Sequence, residues 1–112
     1  MQKGDIVTCV LAGDYGKPRP AVVIQSDLFN ATHASITVCP ITTHCVEAPL
    51  FRISIASTPQ SGLTQTSQIM TDKMMSLRRE KIHNKIGVLN HEQKDQLDQA
   101  LKNWLQLGNA VF

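Results

Sequence analysis

What most limits the fold of this chain is the alternation of short, β-branched apolar runs with turns rich in glycine and proline. GDIVTCVL (Gly4–Leu11), AVVIQS (Ala21–Ser26) and SITVCPIT (Ser35–Thr42) are too short for the helices of a bundle. Their valine, isoleucine and threonine content favours buried strands. Between the first two runs lies AGDYGKPRP, where two glycines and two prolines in nine residues predict a loop outside any ladder. There Pro20 biases Arg19 toward an extended backbone. DLFNATHA (Asp27–Ala34) reads as a polar connection, and Pro40 near the end of the third run marks an edge strand or a bulge.

LFRISIA (Leu50–Ala56) places Phe51, Ile53 and Ile55 on one face and Arg52 and Ser54 on the other, the pattern of a half-buried strand. After the loop STPQSG, the segments TSQIMTDK, MMSL and IGV predict further short strands. The last element is helical: Asn90 with Gln93 three residues on fits a capping box, and Gly108 sits where a helix would stop. Leu97, Ala100, Leu101, Trp104 and Leu105 recur at spacings of three and four, a stripe read as core packing. Short strands followed by one amphipathic helix imply a mainly β fold, a small and strongly bent sheet or barrel with a C-terminal α-helix packed on it. At 112 residues the chain is expected to form a single domain over 1–112.

With 42% hydrophobic and 18% charged residues the chain can bury a core, which excludes a disordered tail, a collagenous segment or a disulfide knot. Its basic excess is local, since residues 1–56 carry four basic and four acidic side chains and residues 57–112 seven and five. Lys73, Arg78, Arg79, Lys81 and Lys85 crowd into thirteen residues against Glu80 alone, a density suited to a phosphate backbone or an acidic partner segment. A solvated basic edge that discourages strand pairing is the equal alternative. With aromatics limited to Tyr15, Phe29, Phe51, Trp104 and Phe112, a long base-stacking platform is not expected. Cys9, Cys39 and Cys45 are odd in number and form no CxxC pair, which suits a reducing, cytoplasmic setting. MQKGDIV has no cationic segment leading into an apolar stretch, and no window nears the roughly 18 apolar residues of a membrane span, so neither export nor membrane insertion is expected.

Two clusters could carry chemistry. In GKPRP (Gly16–Pro20) the prolines stiffen the backbone around Lys17 and Arg19. A planar guanidinium held this way suits phosphate oxygens, although an ion pair at the end of the barrel would also account for it. In ITTHC (Ile41–Cys45) two hydroxyls and a histidine end the third strand. Alternation would set Thr42 and His44 on one face and Thr43 on the other. His44 could act as acid or base near neutral pH, or be a solvated surface histidine. The chain lacks GxxxxGK[ST], GxGxxG, HExxH and GxSxG, so the corresponding nucleotide, zinc-protease and hydrolase chemistries have no motif behind them. His33, His44, His83 and His91 are scattered, and neither a metal nor a cofactor is expected.

Taken together, GDIV, GDYGKPRPAVVIQSDLFN, ITT and MTDKMMSLRREKIHNKIGVLNHEQ resemble the MazF/PemK family, toxins of toxin–antitoxin modules, in order and over nearly the whole chain. The resemblance implies an SH3-like barrel of the CcdB/PemK type, a homodimer, and sequence-selective, metal-independent cleavage of single-stranded RNA. Attack by the ribose 2′-OH would leave a 2′,3′-cyclic phosphate and a 5′-OH, and such cleavage would inhibit translation and growth. The family's RPAVV arginine falls on Arg19 and its strand-end hydroxyl on Thr42, with Thr43 beside it. Asp72 would contact a base edge, orient Arg19 or serve as a turn carboxylate. Lys73 stands where glutamine is commoner, and Met70 where some members carry an arginine. The resemblance further implies a cognate antitoxin, expected to lay an acidic, partly disordered segment over the groove near Arg19 and the basic 73–85 run. Two other readings compete: a noncatalytic, CcdB-like gyrase poison, and an inactive antitoxin-binding module. The RPAVV loop argues against the poison, as do Trp104 within the stripe and a GNAVF terminus in place of an exposed Trp-Gly-Ile-like tail.

Overall fold

In the computed structural model, which describes residues 1–108 and 110, one strand organises the sheet: β3, Ser35–Thr42. Around it lie β1 (Asp5–Val10), β2 (Pro18–Val23), β4 (Arg52–Ile55), β5 (Ser67–Met70), β6 (Met75–Arg78) and β7 (Ile82–Val88). Two helices complete the fold, a single turn α1 (Asp27–Asn30) and the long α2 (His91–Leu105). The seven strands follow the order β4-β5-β3-β2-β1-β7, and β6 adds to β3. All pairings are antiparallel.

On one side β3 pairs with β2, and on the other it changes partner. Ser35 to Val38 oppose β6, whereas Ile41 and Thr42 oppose β5. Pro40, which has no N–H to donate, falls in the gap between the two partners. The strand is therefore central, and its proline marks a change of partner where the sequence suggested an edge or a bulge. The prolines of GKPRP likewise lie inside a strand. β2 begins at Pro18 and pairs with β1 from Val10↔Pro18 to Ile6↔Val22, while its ladder to β3 starts only at Ala21↔Pro40. Pro18 and Pro20 precede that second ladder, so their missing donors break none of its pairs.

Both faces of the β1-β2-β3 sheet are covered, which explains three consecutive buried residues in Ala21, Val22 and Val23. Ile6, Val22 and Cys39 point into a core with Ile41, Ile53, Ile55, Ile69, Leu89, Leu97 and Ala100. Val7, Cys9, Ala21, Val23, Ile36 and Val38 form a second core on the opposite face, beside Leu11, Met75, Leu77 and Ile82. Helix α2 starts with the expected capping box, in which Gln93 N donates to Asn90 Oδ1 and Asn90 N to Gln93 Oε1, both at 2.8 Å. It ends at Leu105 with Gln106 in the left-handed conformation (φ 55°), two residues before the expected stop at Gly108. The stripe divides: Leu97 and Ala100 are buried, but Trp104 and Leu105 are 49% and 47% exposed. Trp104 packs against Phe51 with ring centroids 5.3 Å apart. Of the GNAVF terminus, Asn109, Val111 and Phe112 lie outside the described residues.

Candidate functional site

The turn between β1 and β2 is built to hold Arg19. Asp14 N donates to Leu11 O (3.3 Å) and Lys17 N to Asp14 O (2.9 Å). Gly13, Tyr15 and Gly16 all take positive φ, which folds the chain tightly enough to bring Asp14 back over β2. Arg19 Nε donates to Asp14 Oδ2 at 3.3 Å, with the two side chains 44% and 26% exposed. An ion pair this open adds little stability. Its effect is orientation: it occupies one edge of the guanidinium, while Nη1 and Nη2 have no partner among the described residues.

The β2–β3 register runs Val23↔Val38, Val22↔Cys39, Ala21↔Pro40. Carried two positions further it sets Arg19 opposite Thr42, on the face Arg19 shares with Ala21. Thr42 ends β3, and its Oγ1 accepts a hydrogen bond from His44 N at 3.1 Å. A hydroxyl can accept and donate together, and the O–H of Thr42 has no acceptor among the described residues. Two sets of unused donors, guanidinium and hydroxyl, thus lie on neighbouring strands just beyond their last ladder pair, Ala21↔Pro40.

The other candidates are placed differently. Because β3 stops at Thr42, strand alternation does not reach Thr43 and His44, which are exposed on the loop beyond it. Lys17 and Lys73 are exposed, the latter at the end of a 3₁₀ turn, Thr71–Lys73. Asp72 in that turn does not receive Arg19; Asp14 does. Asp72 Oδ1 is buried without a hydrogen-bond partner. Its charge adds to burial, the larger cause, in pushing the Cys39 thiol up to about 12. Within the basic run, Arg79 is structural, its Nε donating to His33 O at 3.1 Å and its Nη2 to Asn30 O. Lys85 pairs with Asp5 at 3.3 Å. Lys73, Arg78 and Lys81 keep exposed side chains, so the charged surface is smaller than the sequence suggests.

Three residues that sequence reasoning passed over prove central. Asp14 appeared only as a member of the loop AGDYGKPRP. Arg52 counted only as the polar face of a strand, and Gln68 only as a strand residue. Gln68, buried, accepts from Val46 N (3.0 Å) and donates to Val46 O (2.9 Å), so its amide grips the loop that leaves Thr42. Arg52 Nη1 donates to His44 O (3.1 Å) and Gln68 Oε1 (3.2 Å). No local spacing announces these contacts, which depend on how the loop folds over the sheet.

Burial also pushes the Cys9 thiol up to about 11, with the Asp14 charge as a second cause. Both buried thiols are therefore protonated at pH 8, and Cys45 is exposed. Iodoacetamide at pH 8 is expected to label Cys45 alone in the native protein and all three cysteines in guanidinium, as read by intact mass. Rapid native labelling of Cys39 would contradict this. Among the described residues no three His, Cys, Asp or Glu side chains converge in a way that could hold a metal.

Comparison with known proteins places this arrangement. Residues 2–105 match the family described as PemK-like, MazF-like toxin of type II toxin–antitoxin system. The chain belongs to this family. It is 44% identical over 109 residues to the probable endoribonuclease MazF of Mycolicibacterium smegmatis, covering 96% of this chain and 99% of that one. Among solved structures, the fold resembles the Mycobacterium tuberculosis toxin MazF-mt6, with a TM-score of 0.81 at 23% identity over 93% of this chain and 98% of that one. It also resembles a mycobacterial endoribonuclease in complex with its cognate antitoxin, with a TM-score of 0.82 at 17% identity over 96% and 97% of the two chains. The mainly β architecture with a C-terminal helix is thus that of the MazF toxins. The arginine of the family resemblance lies at the start of β2 and the hydroxyl at the end of β3.

Proposed function

We propose that this MazF-type toxin endoribonuclease cleaves single-stranded RNA, sequence-selectively and without a metal, by attack of the ribose 2′-oxygen on the adjacent phosphorus. As the P–O2′ bond forms the 2′-OH gives up its proton to a base, the P–O5′ bond breaks and the departing 5′ oxygen takes a proton, leaving a 2′,3′-cyclic phosphate and a 5′-OH. What supports this reading is that the β2–β3 register, extended two positions past its last pair Ala21↔Pro40, sets Arg19 opposite Thr42, both with donors in reserve. The phosphorane formed during attack carries more negative charge on its nonbridging oxygens than the ground state. A guanidinium and a hydroxyl already aimed there bind that state preferentially. A guanidinium ionising above about 12 is a poor base, so Arg19 stabilises charge or delivers the proton to the 5′ oxygen. Asp14 positions it.

Lys17, Thr43, His44, Asp72 and Lys73 are the further candidates for holding the RNA. The single domain over 1–112 works as a homodimer, restrained by a cognate antitoxin whose acidic, partly disordered segment meets Lys73, Arg78 and Lys81. A solved relative in complex with its cognate antitoxin supports that pairing. Three free cysteines suit the cytoplasm, and among the described residues no helix is long and apolar enough to cross a membrane. Cleavage, when it inhibits translation and growth, acts through the RNA pool.

The test is incubation of purified protein with a long single-stranded RNA in EDTA, followed by mapping of the ends. Fragments bearing 5′-OH and cyclic phosphate are expected. Fragments with 5′-phosphates, or cleavage that depends on added divalent cations, would overturn the proposed chemistry.

A further inference from the structure

Of the nine large apolar side chains exposed among the described residues, five gather at one end of the molecule: Val46, Leu50, Trp104, Leu105 and Leu107. Asn103 Nδ2 donates to Leu50 O at 3.0 Å and Trp104 packs on Phe51, so the loop after β3 and the end of α2 form one surface. Leu107 N donates to Lys102 O at 2.9 Å, which holds Leu107 beside the helix end. Neither residues 48–51 nor residues 103–108 include an ionisable side chain. The exposed parts together reach roughly 450 Å², the size of the largest apolar patch on a typical monomer and close to the apolar share of one side of a standard protein interface.

Beside this surface a cavity of about 430 Å³ opens between the same loop, β4 and α2. Val46 and Leu50 line it, and so do two charged residues, Arg52 and Glu47. Arg52 Nη1 donates to His44 O and Gln68 Oε1, its Nε is buried with no hydrogen-bond partner, and no carboxylate pairs with it among the described residues. Glu47 is exposed and likewise makes no ion pair among the described residues. A two-fold interface sets the same patch of both copies face to face, so each contact is made twice with the roles exchanged. Apolar anchors beside one unpaired acid and one unpaired base are therefore complementary to their own copy. Resting on the homodimer proposed above, we infer that a second copy of the chain covers this face, with Glu47 of the partner subunit reaching Arg52 and Arg52 of the partner subunit reaching Glu47. An acidic antitoxin segment is matched by Lys73, Arg78 and Lys81 and not by an uncharged surface. A toxin acts when free of its antitoxin, so in the active state only a second copy keeps this face from water. Because Arg52 also holds His44 O, and His44 N donates to Thr42 Oγ1, the contact steadies the loop behind the proposed cleavage pair.

Sedimentation velocity over a dilution series, with a thermal melt to confirm folding, tests this. The wild type is expected to sediment at twice the chain mass. Glu47→Arg sets a like charge against each Arg52 and should raise the dimer Kd about a hundredfold. Leu107→Glu puts an unpaired charge into the apolar contact and should raise it by about tenfold or more. Both variants leave every Arg52 hydrogen bond in place. Arg52→Glu should dissociate on its own yet associate with Glu47→Arg on mixing, because the mixed dimer restores both charge pairs; where Arg52→Glu fails to fold, the other two variants decide. Wild-type Kd values in both Glu47→Arg and Leu107→Glu would overturn this face and leave a homodimer built elsewhere. A weakened Leu107→Glu beside an unchanged Glu47→Arg would overturn the charge exchange. A wild type that is monomeric at every concentration would overturn the face and the homodimer together, and loss of binding to the purified cognate antitoxin in Leu107→Glu would then assign the face to the antitoxin.

Discussion

Arg19→Ala is expected to lower RNA cleavage by about 10³-fold, the scale on which removing a cation or donor aimed at a developing oxyanion acts. Stability should barely move. The side chain is 44% exposed and its ion pair with Asp14 spans 3.3 Å in the open, so its loss should cost under about 1 kcal/mol. Arg19→Lys should rescue little, because an ammonium cannot hold Asp14 with one edge and a phosphate with the other. Thr42→Ala removes a single neutral donor and should cost about 10- to 100-fold. Asp14→Asn keeps the size of the anchor and removes its charge, so it should lower kcat by about tenfold without unfolding the turn. Single-turnover cleavage beside a thermal melt separates these cases. An Arg19→Ala protein that folds and keeps a tenth of the activity would remove Arg19 from the chemistry.

The largest effect on stability is expected where two stretches of backbone touch. Gly62 (φ 70°) and Gly87 face each other as the loop after β4 crosses β7. A Cβ on Gly87 would lie 2.1 Å from Ser61 O, and one on Gly62 only 1.9 Å from Ile86 O. Neither chain can retreat freely. Val88 N donates to Gln60 O at 3.0 Å, and buried Ser61 ties the loop through Oγ to Ala56 O at 2.9 Å. Gly87→Ala should therefore cost about 3 kcal/mol or more, the upper range for overpacking, and lower Tm by about 10 °C or more. Gly62→Ala adds the strain of a left-handed alanine, about 1 kcal/mol. Gly13→Ala is the control, since its φ is 85° but a Cβ there meets nothing within 4 Å, and it should cost only that strain. Urea unfolding checks all three, and a Gly87→Ala protein melting within about 2 °C of wild type would show that the crossing yields.

Much of this architecture was legible from local pattern. Ser35–Thr42 and the half-buried strand at Arg52–Ile55 lie where β-branched runs and alternation put them, and the Asn90–Gln93 box opens α2 as its spacing requires. These features depend on neighbouring residues, and a strand period or a cap is complete within a few positions. The local rules misled where a tertiary neighbour changed their meaning. Pro18 and Pro20 sit in a strand because one edge of β2 is unladdered there, and Pro40 sits in a central strand because β3 changes partner beside it. Trp104 keeps the helical spacing of the core stripe yet is half exposed, since periodicity records which face a residue occupies and not what packs against that face.

The site divides in the same way. Arg19 and Thr42 were legible in the chain as candidates, since the RPAVV and ITT segments carry the family resemblance. Their placement on neighbouring strands, the choice of Asp14 over Asp72 as the partner of Arg19, the use of Arg79 and Lys85 inside the fold, and the buried, unpartnered Nε of Arg52 came only with the tertiary structure. A hydrogen bond from Arg52 to Gln68 spans sixteen residues, and one from Arg79 to Asn30 forty-nine. Contacts at such separations form only when strand pairing and loop closure bring the segments together, which no local residue pattern encodes.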